Sequence, residues 1–121
     1  YLCNTKDYQN KTMNKNDKGH YGELIGCAWL VKQGYWVFRN VAPHGCIDAV
    51  AVHQKTGKKI LIDFKVAYYR KSGWECSRIV GARAKELGVR ILYVNVDTHE
   101  CRLKDTWENY LKKKRKIKME K

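Results

Sequence analysis

Apolar and polar positions change period along the chain, from helical spacing to two-residue alternation and back. Leu24, Cys27, Ala28, Leu30 and Val31 recur at helical spacing and predict a helix over Asp17–Gln33. Asp17 is its expected N-cap and Gly34 its stop. Aromatic and β-branched residues then predict a strand at Tyr35–Val41. Ala42–Gly45, with the only proline of the chain, reads as a turn. Strands follow at Ile47–His53 and Lys59–Ala67, and the polar Gln54–Lys58 between them makes the pair an antiparallel hairpin.

Tyr68–Glu75 reads as a polar, aromatic loop. A second helix is expected at Ser77–Leu87, with Val80, Ala84 and Leu87 on one face and Gly88 as its stop. Arg90–Val96 is a fourth strand, a turn follows at Asp97–His99, and Cys101–Leu103 is a short fifth strand. Asp105 and Glu108 form a capping pair opening a last helix with Trp107, Tyr110 and Leu111 on its apolar side. The core order is αβββαβ. It predicts an α/β domain with a mixed, mainly antiparallel central sheet flanked by helices.

At 121 residues the chain suffices for one domain. Residues 1–16 are rich in Asn, Lys and Thr and read as a flexible lead-in, 17–111 as the folded domain, and 112–121 as a basic tail. The formal charge is +13, and residues 112–121 hold seven Lys/Arg against one Glu, +6 of that total. Charge of this size points to a polyanionic partner, nucleic acid before an anionic membrane surface. The tail residues Lys112, Lys113, Lys114 and Arg115 are candidate phosphate contacts, or else a solvated end. The longest apolar runs are far short of the ~20 residues of a membrane span. Tyr1–Gly19 has no apolar segment of a secretory leader, and the five cysteines are odd in number with no CxxC. These features lead to an expectation of free thiols in a reducing cytoplasm.

Asp63 and Lys65 stand two apart on the third strand and so project from one face. The hairpin brings Asp48 towards them from the second strand. Two carboxylates with a lysine beside them suit Mg2+ and a phosphodiester. The competing reading is a same-face ion pair plus a turn-capping aspartate. Glu23 lies along the edge of the helical stripe, where it either faces the sheet or serves the helix dipole. Tyr69, Arg70, Lys71 and Ser72 follow the third strand and mix cations with rings that stack on bases; Arg78 and Lys85 lie on the second helix, where cations track a backbone. His44 and His20 flank these residues in sequence, within reach of a phosphate or metal, but an ordinary surface position is the better reading of either.

The order of elements, with Gly22-Glu23 on the helix, Asp48 opening a strand and Asp63-Phe64-Lys65 on the next, resembles the PD-(D/E)XK nuclease superfamily. That superfamily includes restriction enzymes, Holliday-junction resolvases and small phage or intron-encoded homing endonucleases. The resemblance covers about residues 18–96. Ile47 stands where the signature has proline, and Asp63 where glutamate is commoner. The resemblance implies a restriction-endonuclease-like core and metal-dependent DNA endonuclease activity, with 5′-phosphate and 3′-hydroxyl products. It implies Asp48, Asp63 and the Phe64 backbone carbonyl as ligands of Mg2+ or Mn2+, Glu23 as a ligand through water, and Lys65 as the residue that orients or activates water. DNA over RNA follows from the resemblance alone, as does a homodimer to cut two strands and, for a phage-encoded enzyme, the host-cell cytoplasm. The alternatives are a junction or branched-DNA resolvase, a nucleic-acid-binding module that has kept a nuclease-like core without catalysis, and a basic structural protein of a phage or ribonucleoprotein.

Overall fold

The computed structural model describes residues 13–42, 44–68, 80–105 and 112–116. Helix α1 spans Lys15–Lys32. Its N-cap is Asn14, whose side-chain oxygen accepts the Asp17 N–H at 2.9 Å. Asp17, the expected cap, instead lies in the first turn, where its charge meets the positive end of the helix dipole. The helix ends as expected at Gly34, whose φ of 91° is open to glycine at little cost.

Five strands form one sheet in sequence order: β1 Tyr35–Arg39, β2 Ala49–His53, β3 Lys59–Val66, β4 Arg90–Val94 and β5 Cys101–Leu103. All neighbours are antiparallel except β3 and β4. The parallel pair requires a crossover, and that connection carries α2, Ala82–Leu87. The helix stops at Gly88 in the left-handed region, as expected. Val80 and Gly81, expected inside it, precede it, and Gly81 is its N-cap. The strands are also shorter than expected: Val41, Ile47, Ala67 and Val96 lie outside them. The mixed, mainly antiparallel sheet with helices matches the expected class.

The core lies between α1 and one face of the sheet, built from Leu30, Ala49, Ala51, Ile60, Ile62, Phe64, Leu92 and Val94. Here the expected helical stripe needs correction. Leu24 and Val31 are 48% and 59% exposed, and Ala28 is exposed too, whereas Gly22, Gly26 and Leu30 are the buried residues of α1. The spacing is still four residues, but two positions on the contact face have no side chain. A Cβ on Gly26 would stand 2.6 Å from the Phe64 ring, and one on Gly22 would stand 2.9 Å from Val66. The absence of those methyl groups lets the helix approach β3 closely. A hydrophobicity pattern cannot register glycine as a contact.

Residues 112–116 are helical and exposed, and Lys113 pairs with Asp105. Asp105, expected as a cap, also accepts from Arg90 at 3.2 Å. Glu108, Trp107, Tyr110, Leu111 and residues 1–12 lie outside the described residues. The rest of the expected lead-in 1–16 needs correction, since Asn14 caps α1 and Lys15 and Asn16 belong to its first turn.

Candidate active site at the ends of the second and third strands

Strand β2 begins at Ala49, which is paired with Ile62, while β3 runs on to Val66. The hairpin register therefore delivers Asp48 to the stretch of β3 that has outrun its β2 partner. Asp48 grips both neighbours of Asp63. Its N–H donates to the Ile62 carbonyl at 2.8 Å, and its carboxylate Oδ2 accepts the Phe64 N–H at 2.8 Å. A side chain thus supplies the bond that a further strand residue would have made.

The approach to Asp48 is fixed by Asn40. Its N–H donates to the Asp48 carbonyl at 2.8 Å. Its side-chain amide donates to the carbonyls of His44 and Ile47, and its Oδ1 accepts the Ala42 N–H. This Asx turn ties Ala42 on one side and His44 and Ile47 on the other to the end of β1. Sequence reasoning missed Asn40. The available signal was an Asn directly after a strand and ahead of an Ala-Pro turn.

Asp63 lies beside Asp48, half-buried, with the Lys65 ammonium 3.6 Å from its Oδ1. Its carboxyl is pushed up to about 6 from 3.8. Burial is the main cause, followed by a hydrogen bond with the Asp48 side chain; Lys65 opposes the rise and the Asp48 charge adds to it. Two carboxylates this close compete for one proton, and a cation can take the proton's place. The predicted trio of Asp48, Asp63 and Lys65 is therefore brought together, with Phe64 held through its backbone. A cleft of about 390 Å³ opens beside them, lined by Cys46, Asp63, Lys65, Val80, the first turn of α2 and Ile91.

Glu23 is placed differently. Its carboxylate lies 2.9 Å from the Arg39 guanidinium at the end of β1. It shares a second cleft of about 200 Å³ with Lys15, Gly22, Lys65 and Tyr68. Among the described residues, no group of three or more His, Cys, Asp or Glu side chains is arranged to hold a metal ion, so Glu23 does not join the two aspartates as a direct ligand. Arg39 is a second residue that sequence reasoning missed, since nothing local to a strand end announces a partner on a helix sixteen residues earlier.

Of the expected nucleic-acid contacts, Tyr69, Arg70, Lys71, Ser72 and Arg78 lie outside the described residues. Lys85 is exposed on α2, and Lys112, Lys113, Lys114 and Arg115 are exposed on the helical 112–116 segment. His44 and His20 are exposed. His53 accepts the Lys55 and Thr56 N–H groups at the hairpin turn, and His99 bonds the Tyr21 hydroxyl at 2.9 Å. Cys27, Cys46 and Cys101 are free thiols. A further cavity of about 550 Å³ is lined by Trp29, Tyr93 and Arg102 among others and by neither aspartate. No described helix is long and apolar enough to cross a membrane.

No family model matches the chain, and no curated protein matches it by sequence. Among solved structures, a bacterial homing endonuclease, I-Ssp6803I, is similar with a TM-score of 0.55 and 12% sequence identity, over 78% of this chain and 67% of that one. At this identity the likeness is one of fold. The five-stranded mixed sheet with its flanking helices is a fold that a DNA-cutting enzyme also uses.

Proposed function

We propose that this chain is a metal-dependent DNA endonuclease of the PD-(D/E)XK kind, hydrolysing phosphodiester bonds to 5′-phosphate and 3′-hydroxyl ends. The observation that carries the proposal is the clamp of Asp48 on the Phe64 N–H beside Asp63, with Lys65 at 3.6 Å from the same carboxylate. A same-face ion pair on a strand accounts for Asp63 and Lys65 but gives no reason for a second carboxylate to be held against the first. The donor set fits Mg2+ or Mn2+. Two hard carboxylates that share a proton leave most of an octahedral shell to water and phosphate oxygens, as Mg2+ prefers. Asp48, Asp63 and the Phe64 carbonyl would hold the ion.

When bound, the ion supplies positive charge that polarises the scissile phosphate and lowers the pKa of water. The chain's own groups do the rest. Asp48 is fixed by its bond to Phe64, so its second oxygen keeps one direction. Asp63 gives up its proton before it can bind a cation, which sets a lower pH limit on activity. The Lys65 ammonium holds the attacking water or offsets charge that develops on the phosphate in the transition state. The likeness to a homing endonuclease supports DNA as the substrate, and the charge of +13 supports a polyanion. One such site cuts one strand, so a homodimer would serve double-strand cleavage.

The test is cleavage of supercoiled plasmid and of branched and single-stranded DNA, with Mg2+, Mn2+ or EDTA. Wild type should nick or linearise DNA only with a divalent cation, and Asp63→Ala and Lys65→Ala should not. Cutting that persists in EDTA, or equally in both variants, would remove the basis of the proposal.

A further inference from the structure

Glu23 and Arg39 form a pair that the proposed chemistry does not use. The pair joins α1 to the last residue of the edge strand β1 at 2.9 Å, with side chains 31% and 43% exposed. An ion pair this open contributes little to stability. Its location is more informative. In the ladder Arg39 is opposite Ala49, one residue from Asp48, and the next residue, Asn40, donates its N–H to the Asp48 carbonyl. The half-buried Cys27 thiol, pushed up by burial, is also influenced by Arg39, Glu23 and Asp48. The pair therefore stands on the α1 face of the sheet beside the segment that carries Asp48, and Glu23 shares a cleft with Lys65, although Asp63 and Lys65 occupy strand positions of the opposite face.

Arg39 carries five N–H donors in a rigid fork. Among the described residues only Glu23 accepts from it, through Nη2. A carboxylate on one edge of a guanidinium fixes its plane and leaves the remaining donors to a second acceptor. Phosphate, which matches the fork in two-pronged fashion, is the acceptor expected at a nucleic-acid site.

We infer that Arg39 binds a backbone phosphate of the DNA next to the one being cut, and that Glu23 is the positioning residue that aims it. The inference rests on the nuclease reading of the site. It gives Glu23 a different role from the water-mediated metal ligand that the family resemblance implies.

The two roles differ in the sign of an effect measured without metal. The experiment measures binding of a 20-base-pair duplex in EDTA over a range of salt concentrations, for wild type, Arg39→Ala, Arg39→Lys, Glu23→Gln and the double variant Glu23→Gln/Arg39→Ala. Removing an acid near DNA ordinarily tightens binding, because a repulsion is lost. A positioning Glu23 predicts the opposite: Glu23→Gln weakens binding several-fold. Arg39→Ala should weaken it by about tenfold and lower the salt slope by about 1. The double variant should bind no more weakly than Arg39→Ala, since Glu23 acts through the arginine. Arg39→Lys keeps the charge and loses the fork, so it should fall between wild type and Arg39→Ala while protecting against a general loss of fold.

Tighter binding by Glu23→Gln in EDTA would by itself overturn the inference, and a raised Mg2+ requirement for cutting alongside it would restore the ligand role. Full affinity in Arg39→Ala would overturn it as well. Because binding is read in EDTA, these results stand whether or not the wild-type protein cuts. Failure of the nuclease reading itself would appear only in the plasmid assay.

Discussion

Asp63→Asn should make the metal-free protein more stable at neutral pH while abolishing cleavage. The wild-type carboxyl is pushed up to about 6 from 3.8, chiefly by burial and by its hydrogen bond to Asp48. Between these two values the native state holds a proton that the unfolded state has released. Stability therefore falls as pH rises through this window and levels off above it. One pKa unit corresponds to about 1.4 kcal/mol, so ionising Asp63 costs the native state at most about 3 kcal/mol by neutral pH. Asparagine keeps the shape, still offers a hydrogen bond to Asp48 and never ionises. For a domain of this length an unfolding entropy of about 2 cal/mol/K per residue makes 1 kcal/mol equivalent to about 4 °C. The variant should therefore unfold up to about 12 °C higher at pH 7.5.

The assay is thermal unfolding in EDTA from pH 4 to pH 8. The gap between variant and wild type should be small at the acid end, open between about pH 4 and pH 6 and stay constant above. Adding millimolar Mg2+ should raise the wild-type midpoint and leave the variant where it was, because only the wild type has the second carboxylate to offer. A gap independent of pH, or a variant less stable at pH 7.5, would refute the account of the aspartate pair.

Lys65 lowers the Asp63 pKa, so Lys65→Ala should move the pH of half-maximal cation binding upward and reduce cleavage by about a hundredfold or more; calorimetric Mg2+ titrations across pH check the first part and plasmid nicking the second. Gly26→Ala should destabilise by about 1–3 kcal/mol through overpacking against Phe64, even though alanine gains about 1 kcal/mol of helix propensity; urea unfolding reads the balance, and a stabilised variant would mean the helix can stand off the sheet without loss. Asn40→Ala removes its side-chain bonds to His44, Ile47 and Ala42, so it should cost about 1–2 kcal/mol and lower kcat by loosening Asp48. Asn40→Asp keeps the acceptor for Ala42 and loses both donors, so it should recover only part of the stability.

Much of the sheet was legible because its signals are local. The hairpin between β2 and β3 follows from a polar connection between two alternating runs, and it alone predicts that Asp48 approaches Asp63. Gly34 and Gly88 ended their helices as expected, since a left-handed stop leaves a glycine in the sequence. What escaped notice depends on contacts between distant segments. The buried face of α1 is defined by two glycines, whose contribution is an absence of volume. Asn40 reads as an ordinary turn residue until its two donors are seen to meet the carbonyls of His44 and Ile47. Glu23 was recognised as an acid near the site, but its partner depends on where the edge strand ends.

The position of the site follows from unequal strand lengths. β3 is eight residues long and β2 five, and they share one hairpin, so β3 must run past β2 at the end away from the turn. On its other side β3 stays paired with β4 through Val66, so the overhang remains part of the sheet. A strand end left unpaired along one edge ordinarily needs water or another strand to satisfy its N–H groups. Here the carboxylate of Asp48 does so at Phe64, and in doing so it is pinned next to Asp63. Folding thus brings together two acids that repel each other, beside a strand end still paired with β4, and Lys65 relieves that repulsion only partly. The same backbone bond that completes the ladder creates the electrostatic strain that a divalent cation would relieve. Any change that lengthened β2 by two residues would give Phe64 a backbone partner, free Asp48 to turn away and dissolve the site without altering the fold.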